Sequence, residues 1–140
     1  MDDITVSVVN WSDRQAELIY VRRAVFIEEQ KVPESIEIDG KDPDCFHVLA
    51  CDRAGNAIGS ARLTKSGKIG RMAVMPKYRG QGVGTKMLDA IMEHGRSNGP
   101  TDFHLSAQIS AVGFYEKMGF EPYGEEFQEA GIKHINMRPR

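Results

Sequence analysis

Hydrophobic and polar residues follow two different periods along the chain, and the switches between them mark its elements. Ile4, Val6 and Val8 alternate with Thr5 and Ser7, the period-two pattern of a strand with one buried face. Ser12 followed three residues later by Gln15 has the form of a capping box. Leu18, Val21 and Val25 then recur at helical spacing until Pro33 forbids continuation, which predicts a helix over about Asp13 to Gln30. From Lys31 to Asp44 the apolar period lapses, and Pro33, Gly40 and Pro43 punctuate a loop rich in carboxylates. Two apolar runs, Phe46 to Cys51 and Ala57 to Leu63, flank a turn-like Asp52-Arg53-Ala54-Gly55-Asn56, and Lys65-Ser66-Gly67 leads into a third run from Ile69 to Met75. These predict a meander of three strands. Val83, Met87, Leu88, Ile91 and Met92 share one helical face that Gly99-Pro100 closes. A strand at Phe103 to Gln108, a short helix at Ala111 to Met118 stopped by Gly119, and strand-like runs near Glu121 to Phe127 and Ile132 to Met137 complete the chain. No repeat or linker interrupts it, so residues 1–140 are expected to form a single α/β (α+β) domain.

A chain of 140 residues can bury roughly two-thirds of its unfolded surface, enough for a core without staples. Eighteen basic against twenty acidic residues give a net charge of -2, which leaves no excess of Lys and Arg to hold nucleic acid. Apolar runs fall short of the roughly 20 residues that cross a bilayer, and Met1-Asp2-Asp3 does not begin a signal peptide. A cytoplasmic protein without a membrane partner is expected. Cys45 and Cys51 sit in one short segment which, if extended, holds their sulfurs too far apart to bond, so they read as reduced core thiols.

Chemistry concentrates between Ile69 and Met92. An apolar strand ends at Pro76, a basic turn Lys77-Tyr78-Arg79 follows, and Gly80-Gln81-Gly82-Val83-Gly84-Thr85 opens an amphipathic helix. Such a turn leaves main-chain N–H groups unpaired at the positive end of a helix, an arrangement suited to phosphate. Glycines let an anion approach the backbone, and Lys77, Arg79 and Lys86 add charge at the rim. A Walker loop is excluded because Lys86 follows Thr85 and precedes Met87. A dinucleotide fingerprint is excluded because its last glycine would fall at Thr85 or Met87.

The letters that do match are Arg79-x-x-Gly82-x-Gly84 between strand and helix, with Met72-Ala73-Val74 before them and Ala111-Val112-Gly113-Phe114-Tyr115-Glu116-Lys117-Met118-Gly119-Phe120 after. Here the chain resembles the GNAT superfamily of acyl-coenzyme A-dependent N-acyltransferases. Val25-Phe26-Ile27-Glu28-Glu29-Gln30 and Glu129-Ala130-Gly131-Ile132-Lys133-His134 are similar to its YjcF/ElaA-like branch. The resemblance implies a mixed, mainly antiparallel sheet of about seven strands with about four helices. It also implies acetyl transfer from acetyl-coenzyme A, as cosubstrate, to a primary amine on a small molecule or peptide, by direct attack in a ternary complex. On this resemblance Arg79, Gly80, Gln81, Gly82, Val83, Gly84 and Thr85 hold the coenzyme's diphosphate. Met72, Ala73 and Val74 lie on a bulged strand that splays from its neighbour and pairs with the pantetheine arm.

Tyr115, by helical spacing alone a packed core aromatic, becomes by resemblance the acid that protonates the departing thiolate. The base stays open among His134, His47, the Glu28-Glu29 pair and ordered water; His134 lies where the family's final strands line the acceptor cleft. Arg71 is the only charged residue from Ile69 to Met75, so no carboxylate is offered there. The acidic segment Glu28 to Asp44 reads as a solvated loop ahead of a lining that concentrates cationic acceptors. Asp39, Asp42 and Asp44 lack the glycine and terminal glutamate of a calcium loop, so no metal is expected. A non-catalytic acyl-coenzyme A sensor on the same fold is the alternative, and exposed strand edges leave room for a homodimer.

Overall fold

A computed structural model describes residues 3–140. Seven strands form one sheet in the order β1-β2-β3-β4-β5-β7-β6. They are β1 (Thr5–Val9), β2 (Phe46–Cys51), β3 (Ala57–Leu63), β4 (Lys68–Val74), β5 (His104–Gln108), β6 (Phe120–Glu129) and β7 (Ile132–Pro139). All neighbours pair antiparallel except β4 with β5, which run parallel. The helices are α1 (Trp11–Arg22), α2 (Glu34–Glu37), α3 (Val83–Asn98) and α4 (Val112–Lys117).

The meander forms where its three apolar runs predict it, and β2 and β3 are buried along most of their length because helices cover both sides of the sheet. Successive residues of β3 face opposite ways. Gly59 comes against Met87 of α3, and Gly95 of α3 packs on Leu63. Arg62 reaches the other side, where it shares Asp42 with Arg22 of α1. Val83, Met87, Leu88 and Ile91 are all at most 2 % exposed and anchor the main core.

Four expectations need correcting. At β1 the alternation breaks: Val8 is 43 % exposed, since this strand is the sheet's edge and has no partner on its outer side. The first helix begins at Trp11 with Asn10 as N-cap and no side-chain cap, so the Ser12–Gln15 box is not used; Arg14 leaves helical geometry at φ -126°. Beyond Arg22 the helix widens into a π-helical turn over Arg23–Glu29. The segment Lys31 to Asp44 is not a bare loop, because it contains α2 and a 3-10 turn at Asp42–Asp44. Among the described residues no helix is long and apolar enough to cross a membrane.

Candidate active site

β4 and β5 pair only at Lys68↔His104 and Ile69↔Leu105. Beyond that point the two strands part, and a cavity of about 700 Å³ fills the gap. The cause is local. Ser60 pairs with Ala73 but Arg62 pairs with Gly70, so Ala61 of β3 stands against both Arg71 and Met72. One extra residue bends β4 away from β5, and Arg71 takes the strain with φ 50°. Met72, Ala73 and Val74 line the cavity on one side, Ser106, Ala107 and Gln108 on the other. Strand edges left without a ladder partner are open to an extended ligand bearing amides.

At one end the cavity meets the start of α3. Gly80 and Gly82 adopt φ 79° and 84°, a region that favours glycine, and Gly82 is the N-cap. Gly82 offers no side-chain cap, and the first bond of the helical ladder runs from the Lys86 N–H to the Gly82 carbonyl. The N–H groups of Val83, Gly84 and Thr85 precede that bond and are the uncapped donors of the helix. Gly80, Gly82, Val83, Gly84 and Thr85 line the cavity, whereas Gln81 turns aside and its amide donates to the Lys77 carbonyl. Arg79 is held on three sides. Its Nε–H donates to the Val74 carbonyl at 2.9 Å, and its two Nη atoms donate to the Glu29 carboxylate at 2.9 and 2.7 Å.

Tyr115, on α4, is 8 % exposed and lines the same cavity. Burial pushes its pKa up to about 12, so the hydroxyl keeps its proton at neutral pH. That O–H donates to the Met72 Sδ at 3.6 Å, a weak acceptor that a better one can displace. His134, on β7, also lines the cavity and is 6 % exposed. Its Nδ1 lies 2.7 Å from the Ile132 carbonyl, which can only accept, so Nδ1 is the donor there and in the neutral ring the lone pair falls on Nε2. Phe127 stacks on the ring with centroids 5.8 Å apart. The other candidate bases lie elsewhere. His47 is buried with Nε2 2.9 Å from the Asp42 carbonyl, and Glu29 is spent on Arg79.

Residues 10–140 match the family described as "Acetyltransferase (GNAT) domain". The chain is a GNAT acetyltransferase family member. It is 36 % identical over 122 residues to the uncharacterized N-acetyltransferase YjcF of Bacillus subtilis, covering 84 % of this chain and 86 % of that one. It is 34 % identical over 129 residues to the Escherichia coli protein ElaA, covering 86 % and 83 %. The crystal structure of ElaA superposes with a TM-score of 0.84, over 96 % of this chain and 99 % of that one. An acyl-CoA N-acyltransferase from Pseudomonas aeruginosa reaches 0.84 at 30 % identity, over 99 % and 100 %. The resemblance drawn from the motifs and the seven-stranded fold expected from it are therefore correct.

One feature of this GNAT domain escaped sequence reasoning and corrects the reading of Glu28 to Asp44 as a solvated loop. Glu37 and Asp42 are 4 % and 1 % exposed. Arg22 donates to Glu37 Oε2 at 3.0 Å and to Asp42 Oδ1 at 2.8 Å. Arg62 donates to Asp39 at 3.0 Å and to Asp42 at 3.1 Å, and Arg71 reaches Glu37 at 3.0 Å and Asp39 at 3.2 Å. Three guanidinium groups thus face three carboxylates beneath α1, and Arg71 ties the set to the bulge in β4. Burial alone would raise the Asp39 and Asp42 carboxyls, but the hydrogen bonds they accept outweigh it and hold both below the usual range. At Glu37 burial prevails and the pKa is raised. The only signal in the sequence was the coincidence of arginines in neighbouring elements with an acidic run. Cys45 and Cys51 are free thiols. Among the described residues no group of His, Cys, Asp and Glu is arranged to hold a metal ion.

Proposed function

We propose that the protein transfers an acetyl group from acetyl-coenzyme A to a primary amine. The reading is carried by one observation: uncapped N–H groups at the start of α3, the parted edges of β4 and β5, and the Tyr115 hydroxyl all open into one cavity. The α3 donors suit a diphosphate, Met72 to Val74 offer main-chain partners for the pantetheine amides, and Tyr115 suits the sulfur end. The amine nitrogen attacks the thioester carbonyl carbon, so that a C–N bond forms as the C–S bond breaks. Tyr115 gives its proton to the departing thiolate and recovers one from solvent. His134 Nε2 takes the proton that the nitrogen sheds. No covalent intermediate is needed, and the rate comes from orientation and carbonyl polarisation.

Calorimetric titration with acetyl-coenzyme A, followed by thiol release with added amines, tests this. Absence of heat on mixing removes the reading altogether. Binding without thiol release from any amine or peptide leaves a sensor of acyl-coenzyme A in its place.

A further inference from the structure

We propose that the acceptor is a primary amine on an apolar body bearing a single positive charge, and that polyamines and aminoglycosides are poor acceptors; this rests on the transferase reading above. Sites that gather polycations do so with unpaired carboxylates. This cavity has none to spare in its interior. Its acidic lining residues are Glu37 and Glu129, against Lys68, Arg71, Arg79 and Lys117. Glu37 has Arg22 and Arg71 each 3.0 Å from Oε2. Asp39 and Asp42 are taken by Arg62 and Arg22, and Glu29 by Arg79. Glu129 alone carries no bond, and it is solvent-exposed at the hairpin between β6 and β7. With Arg71 and Arg79 set aside alongside their partners, a second or third ammonium group would therefore find Glu129 alone against Lys68 and Lys117.

Away from the glycine loop the lining carries an apolar set of residues, Phe26, Val32, Ile36 and Ile132. Beside Ser106 and Ser110, its neutral polar groups include two amides. Gln108 Nε2–H donates to Gln30 Oε1 at 2.8 Å, and Gln30 Nε2 lies 3.5 Å from Gln108 Oε1. This pairing leaves each amide one N–H and one acceptor position unspent. Gln108 stands directly opposite His134 in the β5–β7 register. A single amine can thus be gripped by amide oxygen beside the ring that takes its proton, while its carbon body rests on the apolar wall.

The test uses the full chain with saturating acetyl-coenzyme A and reads thiol release for phenethylamine, 3-methylbutylamine, spermidine and kanamycin. The expected kcat/KM is at least about tenfold higher for the first two, and it changes less than about twofold as salt rises, because burial of carbon is little screened. Ile36 is 46 % exposed, so Ile36→Glu should fold and place an unpaired carboxylate on the wall; spermidine then gains several-fold relative to phenethylamine. Preference for spermidine or kanamycin in the unaltered chain overturns the proposal. So does calorimetric binding of acetyl-coenzyme A without turnover of either apolar amine, an outcome that leaves the coenzyme site standing. A chain that takes up no acetyl-coenzyme A loses both readings, and calorimetry alone makes that plain.

Discussion

The glycine turn before α3 and the arginine cluster beneath α1 both gather polar groups at the rim of one cavity, and they dispose of them in opposite ways. The turn withholds: Gly82 caps nothing, so the first N–H groups of α3 stay available. The cluster spends: Arg22, Arg62 and Arg71 use Glu37, Asp39 and Asp42 almost entirely on one another. Unspent main-chain donors make a place for an anion, whereas paired side chains far apart in sequence make a joint. The joint has a task, because Arg71 sits at the bulge that parts β4 from β5.

Damage to the cluster should therefore cost stability, and damage to the turn should cost binding. Arg22→Ala removes one of the two guanidinium partners of each of two buried carboxylates, Glu37 and Asp42, and should lower the unfolding free energy by about 3 kcal/mol in urea titrations; a loss below about 1 kcal/mol would mean the cluster is not structural. The unaltered chain should also weaken below about pH 4. Asp39 and Asp42 have depressed folded pKa values, so the stability they contribute is present above the unfolded aspartate pKa and lost as pH falls towards the folded ones. Glu37, whose pKa is raised, works in the opposite sense, one group against two.

Tyr115→Phe should reduce kcat about 100-fold or more, equivalent to about 2.7 kcal/mol, while acetyl-coenzyme A affinity stays within about twofold. A fall in affinity as large as the fall in kcat would make Tyr115 a wall rather than an acid. Gly82→Ala should weaken acetyl-coenzyme A binding about tenfold by calorimetry, through the 1–2 kcal/mol cost of an alanine at φ 84°. Beyond the two neighbouring residues nothing lies within 4 Å of the added methyl carbon, so unchanged affinity would show that backbone geometry there is unimportant. The smallest effect has the opposite sign. Ser60 Oγ is buried without a partner, and Ser60→Ala should stabilise the chain by about 1 kcal/mol, near 3 °C in Tm, with turnover intact.

Much of this architecture was legible because it rests on short-range patterns. Phe46 to Cys51 and Ala57 to Leu63 match β2 and β3 in both bounds, and Gly99 ends α3 as expected. The glycine turn was legible because its conformation is forced by residues adjacent in sequence. Arg22, Arg62 and Arg71 were not, since their partners lie 15 to 35 residues away, where only tertiary structure brings them close. A still longer separation, 78 positions, hid the Gln30–Gln108 pair. Asn10 in place of Ser12 as N-cap shows a weaker failure, a local signal overridden by where the helix must dock.

The seam at Lys68↔His104 and Ile69↔Leu105 is so brief that the sheet amounts to two leaves, β1 to β4 and β5 to β7, stitched at their base. A substrate lying between them would act as mortar. Thermal resistance should then climb with the logarithm of its concentration, and cleaving the connection at Gly99 should yield two fragments that hold together better in its presence than without it.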